Sequence, residues 1–137
     1  VGLSAPSVAE RVRRLESEEF ITGYHALLDA RRLGIDITAF IGVSVHTQVA
    51  IEGFEERLVD VEDVLECHHV TGEHSLLLKV KTRNTESLEQ LIRIVRSIPG
   101  VARTHTSVVL STSVERSRLG VGHRRAPRRA PFEPRGE

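Results

Sequence analysis

Two groups of side chains in this sequence are of types that do chemistry. The first is Cys67, His68, His69, His74 and His105, all of them common metal ligands. On an extended strand His68 and His69 point to opposite faces, so that element cannot direct both at one ion, whereas Cys67 and His69 share a face. His74 and His105 meet only if their strands pair suitably. The pattern therefore predicts no metal site and no cofactor, but polar-face or interface residues that titrate near neutrality. The second group is Arg11, Arg13 and Arg14 on one short segment. Guanidinium forks suit phosphates and base edges. The same arginines would equally serve a solvated amphipathic helix, pairing with Glu10, Glu16 and Glu18 at i+3 or i+4. Catalysis finds no support. There is no nucleophile elbow, no glycine-rich phosphate loop and no His-Glu-x-x-His, and Glu55/Glu56 and Glu62/Asp63 read as solvent faces. No catalytic residue is expected, and the chain reads as a non-enzyme.

The elements that must position these residues fit in one ordinary domain with an appendage, at 137 residues and 39% hydrophobic. One cysteine excludes a disulfide framework. Apolar runs of a few residues are far short of the roughly 20 that span a bilayer, so a soluble, cytoplasmic chain without membrane partners is expected. The net charge of +0 hides three unlike regions. Residues 1–34 balance five arginines against five acids, 35–114 carry a net −4, and 115–137 a net +4. The chain starts at Val1 and contains no methionine, which predicts a missing natural N-terminus.

A helix is expected over about 4–18. Ser4 is a good N-cap, Pro6 sits in the first turn, and Val8, Val12 and Leu15 form a stripe. Residues 24–34 read as a connector, with an extended piece around 20–28. From Ile35 the period becomes two: Ile35, Ile37, Ala39, Ile41, Val43 and Val45 alternate with Asp36, Thr38, Phe40, Gly42, Ser44 and His46, as in a half-buried strand. Ile51, Phe54, Leu58 and Val61 then recur at helical spacing. Strands follow over 64–71 and 75–82 around Gly72-Glu73, then a helix with Leu88, Leu91, Ile92 and Val95, and a last strand over 101–114. The order β-α-β-β-α-β is the ferredoxin-like unit, an α+β fold with both helices on one side of an antiparallel sheet. Leu76-Leu77-Leu78 places leucines on both faces of the third strand, and helices cover only one. A second copy of the sheet is the economical cover, so a homodimer is expected. Residues 115–137 read as a basic, disordered tail with Arg124, Arg125, Arg128 and Arg129.

The string Gly2-Leu3-Ser4, then Glu10-Arg11-Val12-Arg13-Arg14-Leu15-Glu16, Phe20-Ile21, Gly23-Tyr24 and Leu27-Leu28-Asp29, resembles the Lrp/AsnC (leucine-responsive/asparagine regulator) family of transcription factors. So do Glu66-Cys67-His68, Val70-Thr71-Gly72, Leu76–Lys79, Pro99-Gly100-Val101 and Thr104-x-Thr106, in collinear order to about Leu119. The resemblance implies a partial N-terminal helix-turn-helix (1–23), a connector (24–34) and a ferredoxin-like effector domain of the RAM type (35–114) that dimerises and assembles to octamers. It implies Ser4, Pro6, Ser7 and Glu10 as base-side positions, with Arg11, Arg13 and Arg14 completing a double-stranded DNA surface. It also implies an amino-acid effector bound between dimers near Gly72, Glu73, His74 and Ser75, with Thr104 and Thr106 across from them. Where the family has Gly-Asp-x-Asp this chain has Gly72-Glu73-His74-Ser75, so one carboxylate for an effector's ammonium is replaced by a hydroxyl.

The expected function is thus a DNA-binding transcriptional regulator controlled by a small effector. The alternative is a free-standing ferredoxin-like module that binds or turns over a small ligand. Such a module has no use for the Gly-Leu-Ser and Glu-Arg-Val-Arg-Arg-Leu block.

Overall fold

A computed structural model describes residues 4–117 and 119. Helix α1 (Ala5–Ser17) carries Pro6 in its first turn, where the missing N–H is not needed. It ends as Glu19 takes a positive φ of 59°. No residue of α1 is buried. Its apolar stripe lies open, with Val8 47% and Leu15 41% exposed. Residues 20–29 form no strand, correcting the expected extended piece: no neighbouring strand offers them a ladder, and Phe20, Tyr24, Leu27 and Leu28 are all exposed.

The remaining elements are β1 (Ile37–Val45), α2 (Gln48–Leu58), β2 (Val64–His69), β3 (Leu76–Thr82), α3 (Thr85–Ser97) and β4 (Val101–Val108). They build a four-stranded antiparallel sheet in the order β2-β3-β1-β4, the ferredoxin-like arrangement expected. Both helices start on side-chain caps. Thr47 Oγ1 accepts from the Ala50 N–H at 3.4 Å, and Asn84 Oδ1 accepts from the Ser87 N–H at 2.9 Å. The core is the period-two face of β1 (Ala39, Ile41, Val43) and its counterpart on β3 (Leu76, Leu78, Val80), closed by Ile51, Phe54 and Leu58 of α2 and Leu88, Leu91 and Val95 of α3. Burying such a side chain contributes roughly 1.5–3 kcal/mol, so this one layer carries most of the stability.

Two strands are shorter than their sequence suggests, because their partners run out. His69 faces Leu76, the first residue of β3, so beyond it the Val70 N–H donates to the Ser75 carbonyl and the chain turns. Val108 faces Ala39, and the Val109 N–H still reaches the Thr38 carbonyl at 2.8 Å. Past that β1 has ended, and Leu110 is 94% exposed. The basic tail beyond Leu119 lies outside the described residues.

The face of the sheet away from the helices is less apolar than the three leucines imply. Leu76 and Leu78 both enter the core, and only half-buried Leu77 turns outward. By register its companions are Phe40, Gly42 and Ser44 on β1, Lys79 and Lys81 on β3, Glu66 and His68 on β2, and Arg103, His105 and Ser107 on β4. Phe40 and Leu77 are its two large apolar side chains.

Candidate functional site

The arginines of α1 stand on a helix none of whose residues is buried. Arg14 Nε donates to Glu18 Oε1 at 2.9 Å, an i,i+4 pair, and Arg13 Nε donates to the Ala9 carbonyl at 3.3 Å. Arg11 has neither an ion pair nor a side-chain hydrogen bond among the described residues, and Glu10 and Pro6 stand exposed beside it. Ser4 Oγ and Ser7 Oγ are 3.0 Å apart at the N-terminal turn. The chain then folds back against the helix end. The Ile21 N–H reaches the Leu15 carbonyl, and Tyr24 Oη donates to Glu16 Oε1 at 2.8 Å. That bond to a carboxylate, with a little desolvation, raises the phenol above its ordinary pKa.

The second candidate site is the β2–β3 turn. Gly72 has a φ of +110°, a conformation in which a side chain would be strained. The Ser75 N–H donates to the Val43 carbonyl at 2.9 Å, and Ser44 Oγ donates to the Glu73 carbonyl at 3.3 Å, which fastens the turn to the end of β1. His74 then lies flat over Gly42. A Cβ built there would meet the ring Cγ at 2.6 Å and Nε2 at 2.7 Å, so only glycine leaves room. Across β1 the ring stacks on His105, centroids 5.9 Å apart and planes 20° from parallel. His74 Nδ1 is buried without a hydrogen-bond partner.

Thr104 and Thr106 do not join this group. Their register partners are Val43 and Ile41, both core residues, so the threonines face the helices and His105 between them takes the turn side. Within one chain, therefore, the residue of β4 on the turn side is His105. Where threonines alternate with Arg103, His105 and Ser107, no apolar residue fixes which half of the strand faces inward. Gly42 and Ser44 were not singled out as site residues in the sequence, and His105 was named there only as a titratable residue that meets His74 if their strands pair suitably. Their one legible signal was that Gly42 and Ser44 occupy the polar phase of β1.

His68 and His69 pair with carboxylates. His68 Nε2 meets Glu66 Oε2 at 2.9 Å on the outer face, and Lys79 Nζ lies 3.5 Å from the same carboxylate and from Glu115. The His68 contact first, then Lys79, holds Glu66 below the usual carboxylate range. His69 Nε2 meets Glu55 Oε1 of α2 at 2.6 Å on the helix side, so the two histidines do diverge. Cys67 shares that side, and burial raises its thiol above the ordinary value. No three His, Cys, Asp or Glu among the described residues are grouped to hold a metal ion.

A model of the Lrp/AsnC ligand binding domain matches residues 38–119, the sheet, its two helices and the turn. The chain belongs to the Lrp/AsnC family. Among its Lrp/AsnC relatives, the HTH-type transcriptional regulator FL11 of Pyrococcus abyssi is 32% identical over 120 residues, covering 88% of this chain and 79% of its own. The Bkd operon transcriptional regulator of Pseudomonas aeruginosa is 37% identical over 120 residues, covering 85% and 78%. A transcriptional regulator from Neisseria meningitidis, solved as an L-Met complex, superposes with a TM-score of 0.84 at 27% identity, covering 88% of this chain and 80% of that one. The Lrp/AsnC match includes the ferredoxin-like architecture, and one helix before the sheet does not make a helix-turn-helix.

Proposed function

We propose that this chain is a DNA-binding transcriptional regulator of the cytoplasm, in which residues 1–23 read double-stranded DNA and residues 35–114 bind a small effector and self-associate. Residues 24–34 connect the two and residues 115–137 form a basic tail. The observation that carries the reading is the joining of an exposed, arginine-bearing helix to the family's ligand binding domain on one chain. A free-standing module would leave that helix unexplained. The effector is an amino acid, as in the L-Met complex of the Neisseria meningitidis relative. Its carboxylate takes N–H groups of the Gly72–Ser75 turn, and its ammonium takes Glu73. Regulation is linkage: an effector that binds one assembly geometry better shifts the population toward it, and that geometry sets the spacing of the DNA-reading helices.

Electrophoretic mobility shifts on operator DNA, with and without each amino acid, test the reading. Arg11→Ala is expected to cost roughly 1–3 kcal/mol if Arg11 reads a base edge. Arg14→Ala is expected to cost less, because Arg14 must first leave Glu18. Wild-type affinity in both variants would reject α1 as the DNA-reading helix. For the effector, Ser75→Asp places a second carboxylate beside Glu73 and is expected to tighten amino-acid binding in calorimetry. Heats unchanged by the substitution would remove the turn from the site.

A further inference from the structure

Beside the turn, the outer edge of β4 holds a cleft of about 290 Å³ lined by Arg96, Val101, Ala102, Arg103 and Thr104. We propose that this cleft is a binding site for a small dianion, a dicarboxylate or a phosphate ester, separate from the amino-acid site. The lining contains two guanidiniums and no acid. Neither Arg96 nor Arg103 has a carboxylate within salt-bridge distance among the described residues, whereas Lys79 and Arg93 of the same domain do. Residues 35–114 carry a net −4, so a cleft lined by two arginines without salt-bridge partners, Arg96 from α3 and Arg103 from β4, runs against the charge of its own domain.

The donors extend beyond the arginines. Thr104 contributes a hydroxyl. β4 is an edge strand, pairing only with β1, and the N–H groups on its outer side have no ladder partner. The one opposing influence is the carbonyl end of α3, where Arg96 sits in the last turn. A helix terminus acts as about half a unit charge, and two guanidiniums outweigh it. The volume is at the low end for a small-molecule site and admits a metabolite-sized anion. Two cations are too few for a duplex, whose binding takes on the order of 6–10 phosphate contacts.

The cleft also has a route to the effector turn. Arg103 faces Ser44 across the β1–β4 pairing, and Ser44 Oγ donates to the Glu73 carbonyl. The cleft and the effector turn therefore meet at one cross-strand pair of the sheet.

Calorimetry on the 137-residue chain at low ionic strength tests this. The probes are 2-oxoglutarate, succinate and inorganic phosphate, with L-leucine and L-lysine as neutral and cationic comparators. The dianions are expected to bind and the comparators to leave the cleft empty. Arg96→Gln and Arg103→Gln should each weaken dianion binding about tenfold or more, as loss of a charge-assisted hydrogen bond does, while the Arg→Lys variants keep part of it. Tighter binding of 2-oxoglutarate than of phosphate assigns a carboxylate ligand, and the reverse order a phosphate ester. Dianion binding unchanged in the Arg96→Gln/Arg103→Gln double variant, or absent at millimolar concentration, overturns the site. Displacement of the bound dianion by short duplex DNA also overturns it, since the cleft would then be a DNA contact. Heats for L-leucine that respond to Ser75→Asp but not to the arginine variants are expected of two separate sites, and with no dianion heat beside them they would leave the amino-acid site standing without the cleft. Dianion heats in a chain that binds no amino acid would do the opposite.

Discussion

Leu77→Lys is expected to leave the chain monomeric at micromolar concentrations at which the unsubstituted chain sediments as a dimer. The outer sheet face has two large apolar side chains, Phe40 and Leu77, on neighbouring strands, and the rest of it is polar or charged. A self-complementary interface on this face seats Leu77 of each copy, so one substitution acts twice. Desolvating an unpaired polar or charged group costs about 2 kcal/mol or more, hence roughly 4 kcal/mol per dimer, close to a thousandfold in Kd. Lysine is chosen over glutamate because Lys79 and His68 flank the position and would receive a carboxylate favourably. The core is untouched, since Leu76 and Leu78 on either side carry it. The variant should therefore keep its secondary structure and a cooperative melt. A dimer that survives Leu77→Lys places the contact elsewhere, and a monomeric unsubstituted chain removes the interface altogether.

Much of the effector domain was legible because its core-facing residues advertise their period. β1 alternates apolar residues with polar or small ones except at Phe40, and the stripes of α2 and α3 recur at three and four, so element types and order follow directly. The caps do not, since the Ser4 side chain makes no capping bond to its helix. Strand ends were not legible in the same way, since the length of β2 and β4 is set by where β3 and β1 begin. The phase of β4 was hidden for a related reason. Threonine is at home on either face of a sheet, and Thr104 and Thr106 gave no sign that they abut Val43 and Ile41. The stacking of His74 on His105 over Gly42 required the spatial order β3-β1-β4, which puts residues 31 apart in sequence on either side of one glycine. For α1 the sequence showed a stripe, and the structure shows that nothing among the described residues covers it.

Gly100→Ala is expected to destabilise the domain by about 2–4 kcal/mol, with a cause that a second substitution can separate. Gly100 follows Pro99 at the exit of α3 with a φ of +90°, and its carbonyl accepts the His46 N–H at 3.0 Å, tying β4 to the end of β1. A non-glycine residue held in that conformation costs roughly 1–2 kcal/mol. The added methyl would also land on Ala50 Cβ in the first turn of α2, and forcing such an overlap costs about 1–3 kcal/mol. Ala50→Gly clears the overlap and leaves the backbone term, at about 1 kcal/mol or less of helix propensity. In urea denaturation at constant m, the double variant should therefore be more stable than the sum of the singles predicts, with a coupling of about 1–2 kcal/mol. Strict additivity would mean that α2 moves aside freely and that only the backbone conformation demands glycine. Coupling of the expected size would mean that α2 is pressed onto the β4 entry at this point. Val101 is the next residue and lines the arginine cleft, so dianion binding in Gly100→Ala should then recover together with stability when Ala50→Gly is added.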